Sequence, residues 1–205
     1  VREHINRYIQ ECQERRVPSK VNWSELDQNR LVSCSFIYPN DSIETKRLKN
    51  RLLFLDGMWN AIVSLRWNDF EKLCCKVLKT LGCQDVKRSR HDGGIDFTGM
   101  LQWLGTWMRF VGQAKRVRKG RRIEPGVLRD FSDAMKTKRC QIGVIVTTGS
   151  FSPKVRRRAK RKNIVLMDGE QLSFNLIRIG VGIEDEKRNA TLNITKLNEW
   201  LKSKR

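Results

Sequence analysis

The chain has 205 residues, 39% hydrophobic and 31% charged, with a formal net charge of +20. That length holds one ordinary domain and a small appendage, with enough core to fold alone. No apolar run approaches the roughly 18 residues of a membrane-spanning helix and no signal-peptide pattern opens the chain, so a cytoplasmic protein with no membrane partner is expected, one whose charge selects polyanions.

Ile5, Tyr8, Ile9 and Cys12 fall at helical spacing, which predicts a helix over residues 1–20 ended by Val17-Pro18-Ser19. Residues 21–42 read as irregular or short-stranded and close on the turn-forming Pro39-Asn40-Asp41-Ser42. Residues 43–65 carry one or two helices built on Leu48, Leu52, Leu55, Trp59 and Ile62. Residues 1–66 are therefore expected to be a small, mainly helical N-terminal region, and nothing in them names a chemistry.

From Trp67 the pattern sharpens. Asn68 is a good N-cap, Phe70, Leu73, Val77, Leu78 and Leu81 make one apolar stripe, and Gly82 ends the helix. Residues 83–88 read as a strand, Asp92-Gly93-Gly94 as a turn, and Ile95 to Thr98 as a second strand. Residues 99–108 read as an apolar connection whose Trp103 and Trp107 either pack on the core or form an interaction surface. Arg109 to Lys115 is a third strand, and a helix runs from about Pro125, a favourable first residue, to Lys138. The apolar run Gln141 to Thr147 fits a strand buried on both faces. Ser152-Pro153 opens a very basic helix to Lys162, Ile164 to Met167 is another buried strand, and residues 170–180 form an amphipathic helix. This order predicts an α/β domain over residues 67–183, a mixed central sheet flanked by helices. Residues 184–205 read as a polar tail with a possible helix around Trp200.

One acid and a downstream polar pair stand out: Asp96, in His91-Asp92-Gly93-Gly94-Ile95-Asp96, and Gln113-Ala114-Lys115. Alternation on a strand puts Gln113 and Lys115 on one face. If Asp96 projects to the same side, its carboxylate and the Gln113 carbonyl oxygen offer the hard ligands Mg²⁺ prefers, with Mn²⁺ a possible substitute. Lys115 can then orient or deprotonate an attacking water, or stabilise charge on a phosphate. Taken alone, a single Asp after Gly-Gly is usually a turn residue, and a single Gln-x-Lys usually an exposed strand edge. Glu71 stands three residues after Asn68, the spacing of a capping box. Asp92 reads as a turn residue and His91 as an exposed loop residue.

The charge is localised. Residues 1–66 carry 11 basic and 8 acidic side chains, a net of +3, and residues 67–205 carry 31 and 14, a net of +17. Arg109, Lys115, Arg116, Arg118, Lys119, Arg121 and Arg122 place seven positive charges in 14 residues. Lys154, Arg156, Arg157, Arg158, Lys160, Arg161 and Lys162 place seven in nine. Each run follows a predicted strand of the sheet, which favours phosphate contact, and hence DNA or another nucleic acid, over a merely solvated face. The six cysteines form no Cys-x-x-Cys pair and have only His4 and His91 beside them, so reduced thiols rather than a zinc site are expected.

From Phe70 to Ile183 the chain resembles the Mrr-type restriction endonucleases, a branch of the PD-(D/E)xK nucleases. The resemblance rests on Phe70-Glu71 with Leu81-Gly82, Asp92 to Asp96, Val111 to Arg116, Gly143 to Ser152, and Ile164 to Leu172, all in order. It implies a restriction-endonuclease-like core and Mg²⁺-dependent cleavage of duplex DNA, within a restriction or anti-phage defence system. It places Asp96, Gln113 and Lys115 in the catalytic centre and brings Glu71 to the metal. Gln113 stands where most relatives carry Asp or Glu, so one ligand charge is missing. A non-cleaving nucleic-acid-binding module, or a nuclease for RNA or branched DNA, is the alternative. Residues 1–66 are open as a surface for DNA, a partner in a larger defence complex or a second copy in a homodimer.

Overall fold

The computed structural model describes residues 43–103, 105–140, 142–186 and 189–203, and the expectations for residues 1–42 lie outside these. Helix α1 runs unbroken over Ile43–Ser64, and helix α2 spans Trp67–Thr80. Helix α2 buries Phe70, Leu73, Val77 and Leu78 of the expected stripe, with Cys74 among them, while Leu81 is only partly buried. Its N-cap is Arg66, not Asn68, and the Arg66 side chain turns instead to Asp69 at 3.1 Å. A capping box needs its cap residue three before the glutamate, so Asn68 and Glu71 do not form one.

Strands β1 (Gln84–Asp92), β2 (Ile95–Trp103) and β3 (Thr106–Lys115) make an antiparallel meander. Two expectations change here. Strand β1 runs to Asp92, which pairs with Ile95, so His91 and Asp92 belong to the strand and the turn is Gly93-Gly94 alone. Their φ values of +61° and +88° match the left-handed pair that a two-residue hairpin needs. Residues 99–108 are not a connection either: β2 and β3 stay paired out to Trp103↔Thr106, and Gly105 (φ +81°) takes part in the tight reversal. Gly105 is the one turn-forming residue at this reversal, which is why the apolar stretch hid the pairing. Trp107 is exposed on this extension.

Strands β5 (Ile142–Thr147) and β7 (Ile164–Met167) add in parallel beyond β3, giving a five-stranded sheet of order β1-β2-β3-β5-β7. Strand β3 is thus the seam between an antiparallel and a parallel half. Short strands β4 (Arg122–Ile123) and β6 (Ser150–Phe151) pair in parallel beside it. Helices α3 (Pro125–Thr137) and α4 (Pro153–Arg161) precede β5 and β7, and α5 (Gly169–Arg178) follows β7. The end of the chain holds more order than a polar tail. Strands β8 (Ile183–Glu186) and β9 (Asn189–Leu192) form a hairpin, and helix α6 (Ile194–Lys202) buries Leu197.

Alternation along the strands feeds two cores. Phe110 and Ala114 of β3 and Val144 and Val146 of β5 pack with α1, α2 and α5, whereas Val111 and Ile145 pack with α3 and α4. Helix α1 contributes Phe54, Leu55, Met58, Ala61 and Ile62 to the first core, so the packed body extends upstream of Trp67. Gly112 is where the strands admit no side chain, since a Cβ there would fall inside the Phe97 ring. Gly112→Ala is therefore expected to destabilise by about 1–3 kcal/mol through overpacking. Gly126→Ala, whose Cβ would meet nothing within 4 Å in the first turn of α3, is expected to stabilise by about 0.5 kcal/mol. Urea midpoints of the two variants against the parent check both signs.

Candidate active site

The β2–β3 ladder stops at Phe97↔Gly112. By strand alternation the next N–H of β3 that faces β2 belongs to Ala114. The Asp96 Oδ2 atom accepts it at 2.7 Å, standing in for the carbonyl that would have continued the ladder. The carboxylate therefore sits where the strands part. Gln113, one residue beyond Gly112, is buried, and its Nε2 donates to the Gly94 carbonyl at 2.6 Å. Only the amide nitrogen can donate to a carbonyl, so this bond fixes Oε1 as the atom turned the other way.

Lys115 ends β3 opposite Thr147. Its carbonyl accepts from Thr147 Oγ1 at 2.6 Å and from the Thr148 N–H at 3.3 Å. Thr148 Oγ1 accepts the Val117 N–H at 2.7 Å and donates to the Val117 carbonyl at 2.6 Å. Both threonines are fully buried, so the backbone from the Lys115 carbonyl to Val117 is clamped from the end of β5. Trp59 of α1 donates its indole N–H to the Thr148 carbonyl, which ties α1 to the same clamp.

Glu71 is 7% exposed on α2. Arg88 of β1 meets it through Nε at 3.0 Å and through Nη2, both on Oε2, and Nη2 also donates to Asn68 Oδ1 at 3.3 Å. Asn68 thus serves Arg88 and not the helix end. Burial holds the Asp96 carboxyl above its ordinary value; the Ala114 N–H opposes this, the Glu71 charge adds to it, and Lys115 and Arg88 oppose it. Glu71, Arg88, Asp96 and Lys115 therefore share one electrostatic neighbourhood, with Gln113 beside them. Arg88 and the two threonines are what the sequence reading missed: one arginine in a basic strand and two threonines after an apolar run carry no periodic signal.

Among the described residues no group of three His, Cys, Asp or Glu gathers as a metal site. The donor set is Asp96, Gln113 and Glu71, all oxygen, which suits a hard cation. The nearby thiols do not compete, because burial pushes Cys75 up to about 11 and holds Cys74 well above its ordinary value. Asp96 is a desolvated carboxylate, and a divalent cation would offset that desolvation, so the residues fit such an ion.

The basic segments that follow β3 and β6 start at the C-terminal ends of the parallel strands, joined through the Arg122↔Ser150 pair. Arg116, Arg118, Arg121 and Arg122 are exposed on the segment after β3, and Arg116 reaches the Val63 carbonyl at 3.4 Å. Lys119 is turned inward, to Asp56, to Asn60 Oδ1 at 2.9 Å and over the Trp59 ring. On α4, Lys154, Arg157 and Arg158 are exposed, while Arg156 pairs with Asp168, the N-cap of α5.

Residues 62–174 match the profile of the family described as Restriction endonuclease (Mrr_cat). No curated protein matches the chain. Among solved structures it is similar to the DNA modification-dependent restriction endonuclease AspBHI, at 16% identity and a TM-score of 0.55, over 73% of this chain and 39% of that one. It is also similar to the MspJI restriction endonuclease, solved in complex with a 27-mer oligonucleotide, at 24% identity and a TM-score of 0.48, over 69% of this chain and 35% of that one. The chain thus spans well under half the length of these structures, and the likeness to AspBHI shows a shared restriction-endonuclease fold. Among the described residues no helix is long and apolar enough to cross a membrane. The family profile covers more than half of the sequence, including the strands that carry Asp96, Gln113 and Lys115, and the chain belongs to the Mrr-type restriction endonuclease family.

Proposed function

We propose that the chain is the nuclease part of a Mg²⁺-dependent DNA endonuclease, acting in a restriction or anti-phage defence system of the cytoplasm. The observation that carries this reading is the Asp96 carboxylate, held by the Ala114 N–H at the point where β2 and β3 separate, with Gln113 and Lys115 next to it. Asp96, Gln113 Oε1 and Glu71 would hold the ion, for which Mn²⁺ is an alternative. When bound, it supplies Lewis-acid polarisation of the phosphodiester and eases loss of a proton from water.

The chain's own residues do the rest. Asp96 and Gln113 fix the position of the scissile group relative to β3, and the threonine clamp keeps Lys115 from drifting with the basic segment behind it. Lys115 orients the attacking water and offsets charge building on the phosphate. Arg116, Arg118, Arg121 and Arg122, with Lys154, Arg157 and Arg158, take the DNA backbone. They position the duplex without reading its sequence. Lys119 and Arg156, tied to Asp56 and Asp168, hold the two basic segments in place. The free thiols at Cys74, Cys75, Cys83 and Cys140 agree with a reducing compartment.

Supercoiled plasmid incubated with Mg²⁺ tests the chemistry. Asp96→Ala and Lys115→Ala are each expected to slow cleavage by roughly 100-fold or more, and chelation is expected to stop it. Undiminished cutting by both variants would show that the site lies elsewhere. Binding of DNA without cutting under any divalent ion would point to a non-cleaving module, and cutting confined to RNA or branched DNA would change the substrate.

The charge on Asp96 also has a cost in stability. Its value in the folded protein lies above the ordinary 3.8, so the folded state holds this proton more tightly than the unfolded chain does. The group's contribution is therefore fully present below 3.8 and lost as pH rises through the raised value. Asp96→Asn keeps an oxygen for the Ala114 N–H and removes the charge. Without metal, its thermal midpoint is expected to exceed the parent's by a few degrees at pH 7, the gap closing as the pH falls below 4. An equal gap at both pH values would contradict this account of the carboxylate.

A further inference from the structure

Glu71 is a buried carboxylate, and a buried charge needs a partner. In this fold the partner is Arg88, whose Nε and Nη2 both converge on Oε2. Arg88 sits on β1, the edge strand of the sheet, and its side chain is 28% exposed against 10% for Glu71. One end of the ion pair is therefore fixed in the protein while the other faces solvent. Nη2 is steadied by Asn68 in the first turn of α2, where the helix dipole favours an anion.

The charges balance without metal: Glu71 and Asp96 contribute two negatives, Arg88 and Lys115 two positives. A divalent cation on the same carboxylates overcharges the site unless a positive group leaves or an anion arrives. Arg88 is the positive group whose fork occupies the Glu71 oxygen itself, so it is the one that an ion on that carboxylate displaces. Its planar fork matches phosphate oxygens as well as carboxylate ones.

We infer that Arg88 is a built-in counter-ion that a divalent cation must displace from Glu71, and that the freed guanidinium passes to a phosphate of the bound strand. The inference rests on the metal reading proposed above and adds a regulation to it. Arg88 makes metal binding weak in free protein and strong once DNA is present, so the ion and the strand assist each other. Arg88 is then a positioning residue for metal and strand, outside the bond-breaking step.

Mn²⁺ titration of the full chain, with free Mn²⁺ followed by electron paramagnetic resonance, tests this without any cleavage. In the absence of DNA, Arg88→Gln is expected to bind Mn²⁺ about tenfold more tightly than the parent, a coupling of ordinary size. The same substitution in a Glu71→Gln background is expected to change the affinity little. A short duplex is expected to tighten Mn²⁺ binding in the parent and much less in Arg88→Gln. Arg88→Lys keeps the charge but loses the fork, so a gain of about threefold is expected; this variant carries the test if Arg88→Gln fails to fold. A folded Arg88→Gln, or Arg88→Lys in its place, that binds Mn²⁺ no more tightly than the parent overturns the inference, because a purely structural ion pair would lower the thermal midpoint and leave the affinity unmoved. If that same binding is abolished by Asp96→Asn, the metal site stands and only the role of Arg88 falls. No saturable Mn²⁺ binding in any variant overturns both.

Discussion

The hydrogen bond from the Ala114 N–H to Asp96 is the contact on which the site depends. A strand ladder that continued past Phe97↔Gly112 would have spent that N–H on a neighbouring carbonyl and kept the Asp96 backbone close to β3. Because the ladder stops there, a carboxylate takes the donor, and a charged group becomes part of the sheet's edge instead of its interior. Ala114 itself is fully buried toward α1, α2 and α5. The spacing of the polar pair follows from strand alternation: at the end of β3 Ala114 closes a core, while Gln113 and Lys115, on the face of Val111, leave that core.

The surrounding fold keeps this junction rigid. Strand β3 has antiparallel pairing on one side and parallel pairing on the other, so it is held along both edges. Thr147 and Thr148 extend the hold past the end of the strand, and Trp59 joins them to α1. Gly169 packs so closely on Trp59 that a Cβ there would collide with the indole, which brings α5 into the same node. The basic segments after β3 and β5 therefore leave a firm base. Both basic segments start from the C-terminal ends of the parallel strands, the usual side for ligands in such sheets.

Much of this was legible in the sequence because it is periodic or chemically unusual. The stripe on α2, the buried runs at β5 and β7, and the strand carrying Gln113 and Lys115 all announce themselves by spacing. What stayed hidden depends on contacts between distant residues. Whether Asn68 caps α2 or serves Arg88 turns on where β1 passes, and Arg88 is one arginine among several in that strand. The long β2–β3 hairpin was obscured because its tight reversal carries little turn composition. The basic runs were visible as charge, but the inward roles of Lys119 and Arg156 depend on Asp56 and Asp168, far away in sequence.

On the proposed reading, Asp96, Gln113 and Glu71 form an oxygen donor set whose charge is balanced by Arg88 and Lys115 until an ion and a strand arrive together. Its central claim is that the ion sits at the Asp96–Gln113 junction. The most direct measurement is a crystal structure of the chain with duplex DNA and Mn²⁺, the ion located by its anomalous scattering. The account predicts an ion within about 2.0–2.2 Å of oxygens of both Asp96 and Gln113, with Arg88 moved off Glu71. An ion bound away from Asp96, or one that leaves Gln113 bonded only to Gly94, would contradict it.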